Sequence, residues 1–136
     1  MAQNSKKLHI AETALKLFLE FGFKGTSVDM VVKHSGVSKP TVYNHFPDKA
    51  ALIGFIVEHW RAQQPDPFDA AQSESWLNAN NVGLLRLAIG EGQRFPQAQQ
   101  QLFGYVERVI RAALREQHGE TALIDFNQRL LHKLMS

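Results

Sequence analysis

No cysteine occurs in the 136 residues, which excludes disulfide staples and thiolate chemistry and suits a reducing compartment such as the cytoplasm. Long apolar runs are missing too. Nothing approaches the roughly 20 consecutive apolar residues of a membrane span, so no membrane partner is expected. The opening Met-Ala-Gln-Asn-Ser-Lys-Lys leads into an amphipathic pattern instead of a signal peptide's apolar centre. Convincing strand alternation, internal repeats and low-complexity tracts are absent. Catalytic groupings are scarce: Asp66 and Asp69 flank a proline linker, Glu91 stands alone, and no nucleophile has a partnered base. Among the six histidines no two stand at helix-face spacing with a third ligand nearby. These gaps predict a chain with no catalytic residues, no metal site and no cofactor.

What is present is ordinary in amount and uneven in placement. Apolar residues make up 44% and charged residues 21%, too apolar for a disordered chain. The net charge is only +2. Residues 1–61 hold eight Lys/Arg against five Asp/Glu, with four of the histidines, whereas residues 62–136 hold seven against eight. A basic first half beside a neutral second half suits a nucleic-acid module joined to something else, although a solvated face could look the same.

Helical periodicity dominates. Leu8, Ala11, Leu15, Phe18 and Leu19 predict a first helix over about 5–21, broken by Gly22 and Gly25. Thr26 reads as the N-cap of a second helix, with Asp29 in its first turn and Gly36 ending it in the left-handed region. Ser38 reads as the next N-cap, with Pro40 in the first turn of a helix over about 39–45. Pro47 closes that helix and Asp48 caps a fourth, whose inner face carries Leu52, Phe55, Ile56 and Trp60. Pro65-Asp66-Pro67 stops it. Beyond lie a short helix within 68–79, another over 82–91, a long one over about 97–117 ended by Gly119, and a last one over 121–135. The predicted architecture is all-α: a three-helix DNA-binding domain in residues 1–47, with its helix-turn-helix at about 26–46, then a small helical domain in 48–136.

Two short helices joined by a glycine-containing turn can present the second helix to a major groove. That second helix reads Lys39-Pro40-Thr41-Val42-Tyr43-Asn44-His45. Val42 and the following Phe46 would pack inward, leaving a cation, two hydroxyls, an amide and an imidazole outside, a set that suits phosphates and base edges.

Residues 8–52 resemble the N-terminal domain of TetR-family transcriptional repressors. Ala14, Phe18 and Gly22 are in register, Gly25-Thr26-Ser27-Val28 is similar to the family's turn, and residues 35–49, SGVSKPTVYNHFPDK, resemble its signature almost without a break. The resemblance implies double-stranded DNA as partner and a palindromic operator bound by a homodimer. It implies that Thr26 and Ser27 meet a phosphate at a helix start and that Ser38 caps the recognition helix. Lys39, Pro40, Thr41 and Asn44 would read bases, while Tyr43, His45 and Lys49 would hold phosphates.

Toward the C-terminus the resemblance loosens, and the second domain looks shortened relative to the family. Trp60, Trp76 and Phe103 are the candidate lining of a site for a small apolar or aromatic effector, although aromatics at helical spacing equally make a plain core. Leu102, Val109, Leu130, Leu131 and Leu134 are expected to form the dimer's apolar stripes. Three functions stay open: a repressor released from its operator by an effector, an effector-independent DNA-binding dimer, and a shortened relative that heterodimerises with another repressor.

Overall fold

The computed structural model describes residues 2–136, with side chains from residue 5 onward. Every regular element among them is helical, and two compact units divide between Trp60 and Arg61.

The first unit holds α1 (Ala2–Phe21), α2 (Val28–Ser35), α3 (Lys39–His45) and most of α4 (Lys49–Gln63). The period of α1 is as expected, but its deepest stripe is Ile10, Ala11, Ala14, Leu17 and Phe18. Leu8, Leu15 and Leu19 are only half-buried. The stripe is turned because α1 packs against both α2 and α3, and alanines let a neighbouring helix come close. Gly22, at φ 83°, ends α1, and Phe23 sets its ring edge-on to Phe18 at 5.2 Å. Gly25 fits tightly, since a Cβ there would lie 2.2 Å from the carbonyl oxygen of Phe21.

Helix α2 is capped by Ser27, not Thr26: the amide of Met30 donates to Ser27 Oγ at 3.1 Å. Gly36, at φ 71°, closes it. Helix α3 then occupies the expected seven residues, with Val42 and Phe46 buried beneath it. Asp48 caps α4, accepting from the amide of Ala51 at 2.8 Å. The first compact unit runs on past residue 47 to Trp60. Phe55 of α4 packs on Phe46 at 5.4 Å, the Lys7 ammonium lies 4.6 Å over the Phe55 ring, and Lys49 bonds the carbonyl of Phe23.

The second unit contains α5 (Ser73–Trp76), α6 (Ala79–Glu91), α7 (Pro96–Tyr105) and α8 (Ala112–Met135). Its core gathers Phe68, Trp76, Leu102, Tyr105, Ile110 and Phe126. The expected long helix over 97–117 is interrupted by a π-helical turn at Val106–Arg111. Gly119 breaks α8 at φ 78°, ψ −170°, where a helix end was expected. Arg86 of α6 donates to the carbonyls of Leu134 and Lys133 at 3.3 and 3.0 Å, tying α6 to the last turn of α8. The stripes expected to form a dimer are divided by this packing. Leu102 and Leu130 are buried inside the unit, Val109 and Leu134 are half-buried, and Leu131 stays exposed.

Two glycine-to-alanine changes should therefore act with opposite signs in thermal unfolding. Gly25→Ala forces a Cβ onto backbone and should destabilise by about 1–3 kcal/mol. Gly90→Ala, in α6 with nothing within 4 Å of the new methyl, should stabilise by about 0.5–1 kcal/mol.

Candidate nucleic-acid interface

Burial of Val42 and Phe46 fixes the rotation of α3 and turns its other residues outward. Lys39, Pro40 and Asn44 are exposed, and Thr41, Tyr43 and His45 are half-buried. Pro40 stiffens the first turn at no hydrogen-bonding cost, because amides there have no intrahelical acceptor. Ser38 occupies the N-cap position, yet its side chain makes no capping bond. Its hydroxyl instead donates to Thr41 Oγ1 at 2.8 Å, which orients one of the expected base-reading side chains.

Around α3 the expected phosphate contacts divide. Ser27 is exposed at the start of α2, where free amides and the helix dipole favour an anion. Thr26 is 1% exposed and cannot reach a phosphate. Its hydroxyl donates inward, toward the carbonyls of Gly22 at 2.9 Å and Leu17 at 3.2 Å. Lys49 is half-buried, and its ammonium donates to the carbonyl of Phe23 at 2.8 Å. One of its three donors is thereby spent on joining α4 to the turn after α1.

Asp29 is a member of the surface that sequence reasoning saw only as a helix-dipole partner. Its Oδ1 accepts from the Tyr43 hydroxyl at 3.0 Å and lies 3.6 Å from Lys39 Nζ. The Lys39 ammonium also sits 5.7 Å from the centre of the Tyr43 ring. The bond to Asp29 favours the protonated phenol and raises the pKa of Tyr43 above its usual value, helped by desolvation and the carboxylate's charge. The Asp29–Tyr43 pair is fourteen residues apart in sequence, so no local spacing rule could have found it.

Comparison with known proteins bears on residues 10–54, which match the family described as "Bacterial regulatory proteins, tetR family". The chain belongs to the TetR family. It is 33% identical over 103 residues to the uncharacterized HTH-type transcriptional regulator YhgD of Bacillus subtilis (strain 168), covering 76% of this chain and 53% of YhgD. To the HTH-type transcriptional regulator RutR of Escherichia coli (strain K12) it is 32% identical over 101 residues, covering 71% of this chain and 46% of RutR. The chain thus spans about half the length of the curated relatives it matches. A crystal structure from Mesorhizobium loti MAFF303099, described as a TetR-family transcriptional regulator, superposes with a TM-score of 0.62 at 20% identity, over 99% of this chain and 70% of that one. The all-α fold of the TetR-family chain is therefore shared along its whole described length.

The residues expected to hold an effector are divided between the two units. Trp60 closes the first unit. Trp76 is buried in the second, its ring 6.0 Å from Tyr105 and 6.5 Å from Phe126, with its indole N–H donating to Gln64. Phe103 alone borders open space, in a groove of about 400 Å³ with Leu85, Ile89, Val106, Leu130 and Leu134, edged by Glu107 and Arg111. Tyr105 belongs to the core, and burial pushes its pKa up to about 12. Among the described residues no group of three His, Cys, Asp or Glu is placed to hold a metal ion, and no helix is long and apolar enough to cross a membrane.

The inward turn of Thr26 has a measurable consequence. Thr26→Val keeps the shape but removes the one hydroxyl proton that the two carbonyls share, and should lower stability by about 1–3 kcal/mol. The salt dependence of duplex binding by the folded fraction should not change, whereas a lost phosphate contact would flatten it by about one unit of slope.

Proposed function

We propose that this TetR-family chain is a sequence-specific transcriptional repressor that holds a palindromic operator through α3 and is released by a small apolar or aromatic effector. The observation that carries it is the outward face of α3, where Lys39, Pro40, Thr41 and Asn44 stand clear of the buried Val42 and Phe46. Such a set can pair with a guanine edge, a thymine methyl and either purine. Ser27, Tyr43 and His45 surround it as phosphate partners, with Lys49 contributing through its remaining donors. A cytoplasmic location goes with this reading.

Residues 61–136 are assigned the dimerisation and ligand roles. Ile124, Leu131 and Met135 are exposed on α8 at spacings of seven and four, one helix face left apolar to water. Paired with itself across a twofold axis, that face would give the dimer that a palindrome with half-sites about 34–36 Å apart calls for. The groove beside Phe103 has the size and apolar lining of a small-molecule site. This favours an effector-responsive regulator over an effector-independent dimer or a heterodimerising relative.

Selection from random duplexes tests the reading directly and should return a palindrome. On the selected site Lys39→Ala and Thr41→Ala should each cost about 1–3 kcal/mol, with little change on random DNA. Equal losses on every sequence would remove the base-reading assignment. Sedimentation at micromolar concentration should give twice the 15.4 kDa chain mass. Leu131→Glu, which alters an exposed side chain, should give a folded monomer. A wild-type monomer that binds the palindrome tightly would contradict the twofold assembly.

A further inference from the structure

We propose that Asp29 is an electrostatic latch on α3, holding Lys39 and Tyr43 in the free protein and thereby lowering the affinity of the interface for any duplex. The inference rests on α3 being the DNA-reading element. A single carboxylate oxygen of α2 takes the Tyr43 hydroxyl at 3.0 Å and lies 3.6 Å from the Lys39 ammonium, which in turn stands over the Tyr43 ring. Two side chains suited to phosphates or base edges are therefore already engaged.

The chemistry of the competitor makes this a latch. A carboxylate and a phosphate diester are both anionic acceptors without a donor of their own, so they compete for the same donors and repel each other. The contact is also weak enough to open. Both side chains of the Lys39–Asp29 pair are 66% exposed, and an ion pair in such surroundings contributes little. The positive end of the α2 dipole makes an acidic residue tolerable at this place. Sequence-independent binding comes almost wholly from phosphate contacts. A negative charge among the phosphate-binding side chains therefore reduces the binding that carries no sequence information.

Asp29→Asn tests this, since asparagine keeps an acceptor for Tyr43 and removes the charge. Measured by fluorescence anisotropy, its affinity for a labelled random-sequence duplex should rise about three- to tenfold over wild type. The salt dependence should steepen by about one unit as Lys39 becomes available to a phosphate. In a Lys39→Ala background most of that gain should disappear. An unchanged or weaker affinity would make Asp29 a support for α3 and overturn the latch. So would a gain that persists undiminished without Lys39, because only bulk charge would then be at work. A readout free of DNA separates this from the underlying reading. The chain has two tyrosines, and with Tyr105 held at about 12 the earlier phenol transition reports Tyr43. It should move to lower pH in Asp29→Asn. An unmoved transition with intact duplex binding overturns the latch alone, whereas a wild-type protein that binds no duplex overturns the DNA reading and the latch with it.

Discussion

The arrangement of the N-terminal unit depends on the buried hydroxyl of Thr26. It donates toward the carbonyls of Leu17, near the end of α1, and Gly22, just beyond it. Burying a hydroxyl costs free energy unless it is bonded, and these carbonyls supply the compensation. With Thr26 held inside, Ser27 becomes the first residue free to cap, and α2 starts at Val28. That start sets the rotation of α2, with Val31 fully inside and Asp29 outside, facing α3. Lys49 reinforces the same turn from α4 through the carbonyl of Phe23. The surface of α3 is thus positioned by residues that do not belong to it.

This explains which parts of the molecule were legible in the sequence. Helix ends announced themselves because their chemistry is local: Gly36 in the left-handed region, Pro40 in a first turn, Asp48 bonding an amide three residues on. The extent of α3 followed, and so did its inward residues Val42 and Phe46. The sequence points to Thr26 as the N-cap where Ser27 holds that place, because adjacent hydroxyl residues suit an N-cap equally well. Only the fold shows which one goes inside. Ser38 stands where an N-cap belongs but bonds Thr41, a choice among nearby acceptors that residue type does not reveal. Asp29 was read correctly as a first-turn acid and missed as a partner of α3, since that pairing depends on tertiary contact.

In the C-terminal unit the sequence was less informative, for a physical reason. Trp76 and Phe103 have the same apolar signature, and only the fold distinguishes an aromatic packed against Tyr105 and Phe126 from one beside open space. The same holds for leucines at helical spacing: Leu130 is buried and Leu131 exposed, although they are neighbours in the chain. Periodicity says that a helix has an apolar face, but not whether this chain or another molecule covers it.

The π-helical turn shows how the second unit can differ from the first in kind. A π turn places one extra residue in a helical circuit, which rotates the side chains after it relative to those before. Three of the groove's lining residues, Val106, Glu107 and Arg111, lie on this turn, and Phe103 lies just ahead of it. Arg111 pairs with Glu107 inside the turn at 2.8 Å, and its bond to Asn127 at 2.9 Å ties the turn to α8. Gly104, in the circuit before, leaves room for the Arg108 guanidinium, because a Cβ there would lie 2.3 Å from its Nη2. The turn ahead of α2 is held by side-chain bonds from Thr26 and Lys49 to backbone carbonyls. The groove, by contrast, is bordered by an irregular helical turn, with Val106 shared between its lining and the core.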